Sequence, residues 1–242
     1  AVAEAKLVRY DGNTGLAALT VDLEDLEDST RNAITVMKTA GLNTIHKGSI
    51  VIALGSPLGT NYSILTGTIT ATNNEISTPD NNYSVYTTDI VASENGSGVL
   101  INMDGELVGV VMQSYSAASA NTLTAVEISE LMPVIDLLFA DKEAPYFGVH
   151  ISTVTQHIAQ KYDIPKGVYI KKVEMDSPAM DAGLQSGDVI RSVAGQEVAS
   201  AEQFREVLLQ LTPKETYSVT VMREGTKGYK KITCKLKAGV LQ

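Results

Sequence analysis

The sequence contains a single cysteine, Cys234, among 242 residues. One cysteine excludes an internal disulfide framework. Polar and apolar residues alternate around it at 231–236, a pattern typical of a strand. No apolar run approaches the roughly 20 residues that cross a bilayer, and no secretory signal pattern opens the chain. Because residues 3–11 already have a strand pattern, we expect a fragment whose upstream part, with any signal or anchor, is missing.

The chain also has few cations and few histidines. Its formal net charge is −9 and its pI is near 4.8, without a basic patch, which argues against nucleic acid as a partner. The three histidines, His46, His150 and His157, do not share a metal-ligand spacing with each other or with Cys234. We therefore expect no metal and no other cofactor. The apolar content of 44% and charged content of 19% indicate a globular protein.

Two regions differ in their periodicity. Up to about residue 126 the chain is rich in Val, Ile, Thr, Gly and Asn, with short alternating runs between turn residues, as in a β-barrel. Residues 127–140 change to a helical period and are expected to close a first domain, and 141–145 form the expected linker. A second domain of strands and short helices follows. Within it Ser200 is expected to cap a helix over 200–211.

A serine between glycines is the most informative local feature. The sequence Asn-Gly-Ser-Gly at 95–98 follows a predicted strand and leads into a hairpin that turns at Asp104 and Gly105. Such a loop can present the hydroxyl of Ser97 beside backbone N–H groups. The alternative is a glycine-rich hairpin without chemistry. A hydroxyl is a weak nucleophile without a base, and the chain offers no evident one.

The second region resembles the PDZ family. The sequence at 177–190 is similar to the turn that enters the family's central strand, and Tyr-Phe-Gly-Val at 146–149 resembles its carboxylate-binding loop. The resemblance implies that a peptide adds as a strand between 149–152 and the helix at 200–211, its C-terminal carboxylate held by the loop N–H groups. The residues implied in peptide binding are Tyr146, Phe147, Gly148, Val149, Ile151 and Leu208. Phe204 and Val207 are expected to belong to the core.

The first region resembles the trypsin-like proteases of the HtrA type. The sequence Ala-Leu-Gly-Ser-Pro-Leu-Gly at 53–59 is similar to that family's glycine-proline loop, and Thr-Asp at 88–89 to the approach to its nucleophile. In that family a protease domain precedes a PDZ domain. The implied fold is mainly β: a trypsin-like double β-barrel over 1–142, with its N-terminal barrel incomplete, followed by an α+β PDZ domain over 145–242.

The resemblance places the catalytic groups as follows. Counting forward from Thr88 puts the nucleophile at Ser97, and counting backward from Asn102 without a gap puts it at Gly96. We favour Ser97, with the backbone N–H groups of Ser97 and Asn95 as the oxyanion hole. Met112, Gln113 and Ser114 are candidates for shaping the specificity pocket.

The other two members of a catalytic triad are missing from the positions that the family uses. The acid position falls on Gly15, which cannot orient an imidazole, and the histidine position falls before Ala1. Asp11 is the nearest alternative acid in the sequence. We therefore expect these 242 residues to be inactive by themselves.

Two functions remain open from the sequence. The first is an HtrA-like serine endopeptidase, extracytoplasmic and anchored to a membrane through the missing segment, whose PDZ domain selects unfolded or tagged polypeptides. The second is a catalytically dead scaffold that acts as a PDZ peptide-binding adaptor. An incomplete barrel leaves open strand edges, so association with a partner, including a second copy of the chain, is expected in either case.

Overall fold

The structure, a computed structural model, describes residues 2–41, 44–112 and 121–241. The chain divides into two compact units. Unit 1 comprises residues 1–10, 14–76 and 83–141, and unit 2 comprises 11–13, 77–82 and 142–242. The short segments 11–13 and 77–82, which the sequence-based boundaries assign to the first domain, thus belong to unit 2.

Unit 1 is built around a closed six-stranded barrel with the strand order β3-β4-β5-β8-β7-β6. Its strands are β3 (Ile50–Ser56), β4 (Ser63–Thr78), β5 (Asn81–Val91), β6 (Ser97–Ile101), β7 (Leu107–Met112) and β8 (Thr122–Glu127). Successive side chains of a strand point to opposite faces, so every second one points into the barrel. In β3, for example, Val51 and Ala53 are buried while Ile50 is exposed. The buried side chains of the barrel include Ile69, Leu100 and Leu123.

The remaining elements of unit 1 pack outside the barrel. Strands β1 (Ala5–Tyr10) and β2 (Ala17–Val21) form a separate two-stranded sheet, and helix α2 (Ile128–Phe139) packs on it through a cluster that includes Ala18, Val134 and Leu138. On the other face of this sheet, the paired residues Leu7 and Leu19 are more than half exposed.

Helix α1 is shorter than the sequence predicts. The Asp-Ser-Thr start at 28–30 predicts a short helix over 28–38, whereas α1 spans Asp28–Ala33 after a 3-10 turn at Leu23–Asp25. The reason is tertiary pairing: the N–H of Leu107 donates to the carbonyl of Lys38, and the N–H of Ala40 donates to the carbonyl of Leu107. Residues 38–40 therefore run beside β7, and this pairing overrides local helix propensity.

Unit 2 contains a sheet in the order β10-β11-β12-β14-β15 and a small pair, β9 with β16. Its strands are β9 (Pro145–Tyr146), β10 (Val149–Thr153), β11 (Val168–Val173), β12 (Val189–Val193), β13 (Gln196–Glu197, paired with β12), β14 (Thr216–Gly225), β15 (Gly228–Lys237) and β16 (Gly239–Val240). Its helices are α3 (Gln156–Tyr162), α4 (Pro178–Asp181) and α5 (Ala201–Leu209). Strand β10 lies at one edge of the sheet, and β11 is its one partner among the described strands of that sheet.

Helix α5 begins as the sequence predicts. The hydroxyl of Ser200 accepts the N–H of Gln203 at 3.3 Å, and the Gln203 side chain accepts the N–H of Ala199 at 2.9 Å. The apolar face of α5 packs on the sheet, where the rings of Phe204 and Phe147 meet edge to face with centroids 6.0 Å apart. The mainly β fold class expected from the sequence, with a barrel followed by an α+β domain, is confirmed.

Candidate functional site

The Ser97 loop lies at the start of strand β6. Ser97 is in register with Ser56 of β3 and with Met112 of β7, and its side chain is exposed. No hydrogen bond to its hydroxyl is present among the described residues. The preceding turn is closed by the N–H of Gly96, which donates to the carbonyl of Ser93 at 2.9 Å.

The two possible nucleophile positions differ in the space around them. A Cβ at Gly96 would lie 2.7 Å from the carbonyl oxygen of Pro57 and 3.0 Å from that of Ser93, and both are backbone atoms. Position 96 therefore has no room for a side chain, whereas Ser97 points its side chain into solvent. Gln113 and Ser114 lie outside the described residues, and Met112 is buried.

No base or acid contacts Ser97 in the part of the chain that the structure describes. His46 is exposed in a turn, His157 is exposed on α3, and His150 pairs with Glu174 in unit 2, with 2.6 Å between Nε2 and Oε1. Gly15, at the expected acid position, is exposed with φ +72°. Asp11 is buried and belongs to unit 2, whereas Ser97 belongs to unit 1.

The loop between β9 and β10 holds a carboxylate. Its backbone N–H groups at Phe147, Gly148 and Val149 converge on the side chain of Asp80. Phe147 donates to Oδ2 at 2.7 Å, Val149 donates to Oδ1 at 3.0 Å, and Gly148 lies 2.9 and 3.0 Å from the two oxygens. Convergent N–H donors of this kind form an anion-binding nest.

Gly148 is required for this geometry. Its φ of +86° lies in the left-handed region, and an added Cβ would lie 2.4 Å from the Cβ of Ser177. Ser177 is fixed in turn, because its hydroxyl caps α4 by accepting the N–H of Met180. The loop is thus clamped between the sheet and the start of α4, with its N–H groups turned toward Asp80.

Burial dominates the electrostatics of Asp80. Only 5% of Asp80 is exposed, and desolvation raises its pKa to about 6 although the three N–H bonds and the nearby His150 act in the opposite direction. Burial also raises the pKa of Tyr146, and the Asp80 charge adds to that effect. The hydrogen bonds from Lys172 and then from His150 lower the pKa of Glu174.

The residues predicted to bind peptide lie together in unit 2. Val149, Ile151 and Leu208 are buried in the same core as Phe147, Phe204 and Val207, and Tyr146 is half-buried. The side chain of Phe147 thus packs in the core while its backbone N–H donates to Asp80. Sequence reasoning missed Asp80, because 67 residues separate it from Phe147 and the Pro-Asp pair at 79–80 indicates only a turn.

These two arrangements, a serine loop on a closed β-barrel and an anion-binding loop at a sheet edge, define a trypsin-like peptidase domain joined to a PDZ domain. The family models agree: a trypsin-like peptidase domain matches residues 1–110 and a PDZ domain matches residues 145–234. These are the two domains, in the same order, that the sequence resemblance to the HtrA-type proteases implies.

The curated relatives carry names of this family. The chain is 31% identical over 229 residues to a "Probable periplasmic serine endoprotease DegP-like" of Marinomonas sp. (strain MWYL1), covering 91% of this chain and 47% of the relative. It is 29% identical over 242 residues to "Serine protease Do-like HtrB" of Bacillus subtilis (strain 168), covering 89% and 53%. The chain thus spans about half the length of the curated relatives it matches.

Solved structures show the same fold. "HtrA-type protease AlgW with decapeptide" superposes with a TM-score of 0.63 at 24% identity, covering 98% of this chain and 72% of the other. The serine endoprotease from Yersinia pestis gives a TM-score of 0.59 at 24% identity, covering 99% and 76%.

Proposed function

We propose that unit 2 binds the C-terminal carboxylate of polypeptides in the loop formed by Phe147, Gly148 and Val149. The observation that carries this proposal is the convergence of the three N–H groups on one carboxylate. Strand β10, the edge strand of the sheet, begins directly after this loop, so a bound peptide could continue as an added strand along it. The solved AlgW structure named with a decapeptide lends further support.

A pair of labelled peptides tests this proposal. Both carry the same hydrophobic C-terminal sequence, one with a free carboxylate and the other with a terminal amide, and binding to the 242-residue protein is followed by fluorescence polarisation. We expect the free acid to bind more tightly, because the amide cannot accept three N–H bonds as an anion. Equal affinities would contradict the carboxylate loop.

We further propose that Ser97 occupies the nucleophile position and that the 242 residues do not hydrolyse peptides by themselves. A serine needs a base within hydrogen-bond reach, and no histidine contacts Ser97 among the described residues. Pairing on both sides also places the Ser97 backbone in the barrel ladder, where N–H groups are directed at neighbouring strands. Gly15 supplies no carboxylate to orient an imidazole.

A fluorophosphonate probe tests this second proposal. We expect no labelling of the wild-type chain above that of Ser97→Ala. Labelling that disappears in Ser97→Ala would instead support an active endopeptidase. Its absence, together with carboxylate-dependent peptide binding, would support the adaptor function.

The names of the relatives also support an extracytoplasmic location, since several are called periplasmic. In the described residues, none of the helices has the length and apolar character that crossing a bilayer requires. Anchoring through an upstream segment, selection of unfolded substrates and self-association stay predictions. Sedimentation of the purified chain would test self-association.

A further inference from the structure

The contacts of Asp80 reproduce those that the last residue of a bound peptide would make. Its carboxylate accepts the three loop N–H groups, and its own backbone N–H donates to the carbonyl of Val149 at 2.7 Å. A C-terminal residue in strand addition offers the same pair of groups, a carboxylate for the loop and an N–H for the edge of the following strand.

We propose that Asp80 is an internal ligand of the carboxylate loop and that peptide C-termini bind there only by displacing it. This inference rests on the peptide-binding function proposed above. The two ligands are mutually exclusive, because Asp80 engages all three N–H groups of the loop and a peptide carboxylate needs the same donors.

The turn that carries Asp80 is anchored within unit 2. Asn13 donates its side-chain N–H to the carbonyl of Pro79 at 2.8 Å, and Thr78 and Asn81 on either side are buried. The position of Asp80 is therefore held by the whole segment 77–82, which belongs to unit 2 together with the loop.

The same segment covers the start of the β10 edge. The Asn82 side-chain amide donates to the carbonyl of Ile151 at 3.2 Å, so the carbonyls of Val149 and Ile151 are both engaged by residues 80–82. An incoming peptide strand would need these carbonyls as well as the loop. The internal ligand therefore occupies both parts of the recognition site.

Two features make the docked turn open to replacement. Asp80 has a φ of +64°, which is uncommon for a residue with a side chain. The Asn82 Oδ1 is buried without a hydrogen-bond partner in the part of the chain that the structure describes. A peptide that displaces the turn would release Asp80 to less restricted backbone conformations and expose the Asn82 Oδ1 to water.

The decisive variant is Asp80→Gly in the 242-residue chain, because glycine keeps the positive φ while it removes the carboxylate. Asp163→Gly is the matched control: Asp163 is exposed at the end of α3, has a φ of +55°, and lies outside the loop. The probe is the labelled hydrophobic peptide with a free C-terminal carboxylate, and its amidated form serves as the reference.

We expect Asp80→Gly to bind the free-acid peptide at least about tenfold more tightly than wild type, because an occupied site lowers apparent affinity by the fraction that is free. Asp163→Gly should behave as wild type. Hydrogen exchange at Phe147, Gly148 and Val149 without peptide should be slow in wild type and faster in Asp80→Gly.

The outcomes separate the two ideas. If wild type and Asp80→Gly bind the free acid equally well, and both prefer it to the amide, the internal-ligand proposal is overturned while the peptide-binding function stands. If neither protein prefers the free acid, the proposed function itself fails. Unchanged exchange of the loop amides in Asp80→Gly would also overturn the internal-ligand proposal.

Discussion

Gly55 and Gly98 face each other across strands β3 and β6, beside Ser97. A Cβ at Gly55 would lie 2.7 Å from the Cα of Gly98, and a Cβ at Gly98 would lie 2.1 Å from the carbonyl oxygen of Leu54. Both glycines have a φ near +130°, at +131° and +133°. The barrel thus brings two backbones together where only hydrogen atoms fit, and this contact fixes the start of β6.

Replacing Gly98 should therefore destabilise the barrel strongly. We expect Gly98→Ala to cost about 1–3 kcal/mol of overpacking beyond the strain of an alanine at positive φ, which is about 1–3 kcal/mol. Gly105→Ala is the control, because Gly105 has a φ of +77° but open space around it. Hydrogen exchange of peptides from the barrel, followed as urea is added, would measure the stability lost in each variant. Equal losses in Gly98→Ala and Gly105→Ala would contradict a close contact at Gly98.

The Ser97 loop allows a stability test of the two possible nucleophile positions. We expect Ser97→Ala to change the free energy of unfolding by less than about 0.5 kcal/mol, because the side chain is exposed. Gly96→Ser should cost about 1–3 kcal/mol, because its Cβ would press on two backbone carbonyls. Urea unfolding of both variants checks this, and a neutral Gly96→Ser would show that the loop accommodates a serine at 96.

In unit 2, a nearly buried carboxylate depends on one arginine. Arg223 donates from Nε to one oxygen of Asp188 at 2.6 Å and from Nη2 to the other at 2.7 Å, and 1% of the Asp188 side chain is exposed. Removing one partner leaves a buried charge uncompensated.

We therefore expect Arg223→Ala to destabilise unit 2 by about 3–5 kcal/mol. Lys214→Ala is the control, since its pair with Glu143 is exposed and should contribute less than about 1 kcal/mol. Urea unfolding measures both changes. Similar losses in the two variants would show that burial of Asp188 does not decide the effect.

The buried carboxylate of Asp80 predicts a pH dependence of stability. Its pKa is raised from 3.8 to about 6 in the folded chain, so protons bind the folded state more tightly than the unfolded state. The resulting contribution is fully present below pH 3.8 and is lost as the pH rises through about 6. A shift of this size corresponds to roughly 3 kcal/mol.

The measurement is the difference in unfolding free energy between wild type and Asp80→Asn at pH 4 and at pH 7. We expect wild type to lose stability relative to the variant by up to about 3 kcal/mol between these values. The titratable groups around Asp80 and its loop are His150, Glu174 and Tyr146. Wild type and Asp80→Asn both contain these three residues, so the two proteins differ in one titratable group. A difference that stays constant with pH would contradict the raised pKa.

The sequence predicted the strands wherever side chains alternate, and it predicted α2 from its helical period. Within α2, however, the helical period groups Phe139 with Leu131 on the apolar face, yet Phe139 is 69% exposed, whereas Val134 is buried. The alternating pattern predicts a strand over 63–71, but β4 continues to Thr78. Residues 72–78 are mainly polar, so local propensity gives little sign of a strand that cross-strand pairing extends.

In the carboxylate loop, too, the sequence predicted the feature that depends on neighbouring residues and missed the one that depends on a distant residue. The sequence Tyr-Phe-Gly-Val carries the resemblance that identified the loop, because a glycine at positive φ and a core phenylalanine are local requirements of its shape. The occupant of the loop lies 67 residues before Phe147, and no local pattern connects them.

What the sequence by itself determined is most of the strands and helices and the resemblance of its two parts to a trypsin-like peptidase and a PDZ domain, because alternation, turn residues and motifs are properties of neighbouring residues. Only the tertiary structure decided that Gly96 has no room for a side chain and that Asp80 sits in the carboxylate loop. Both depend on backbone atoms that come together through closure of the barrel and packing of a distant turn, which no local pattern encodes.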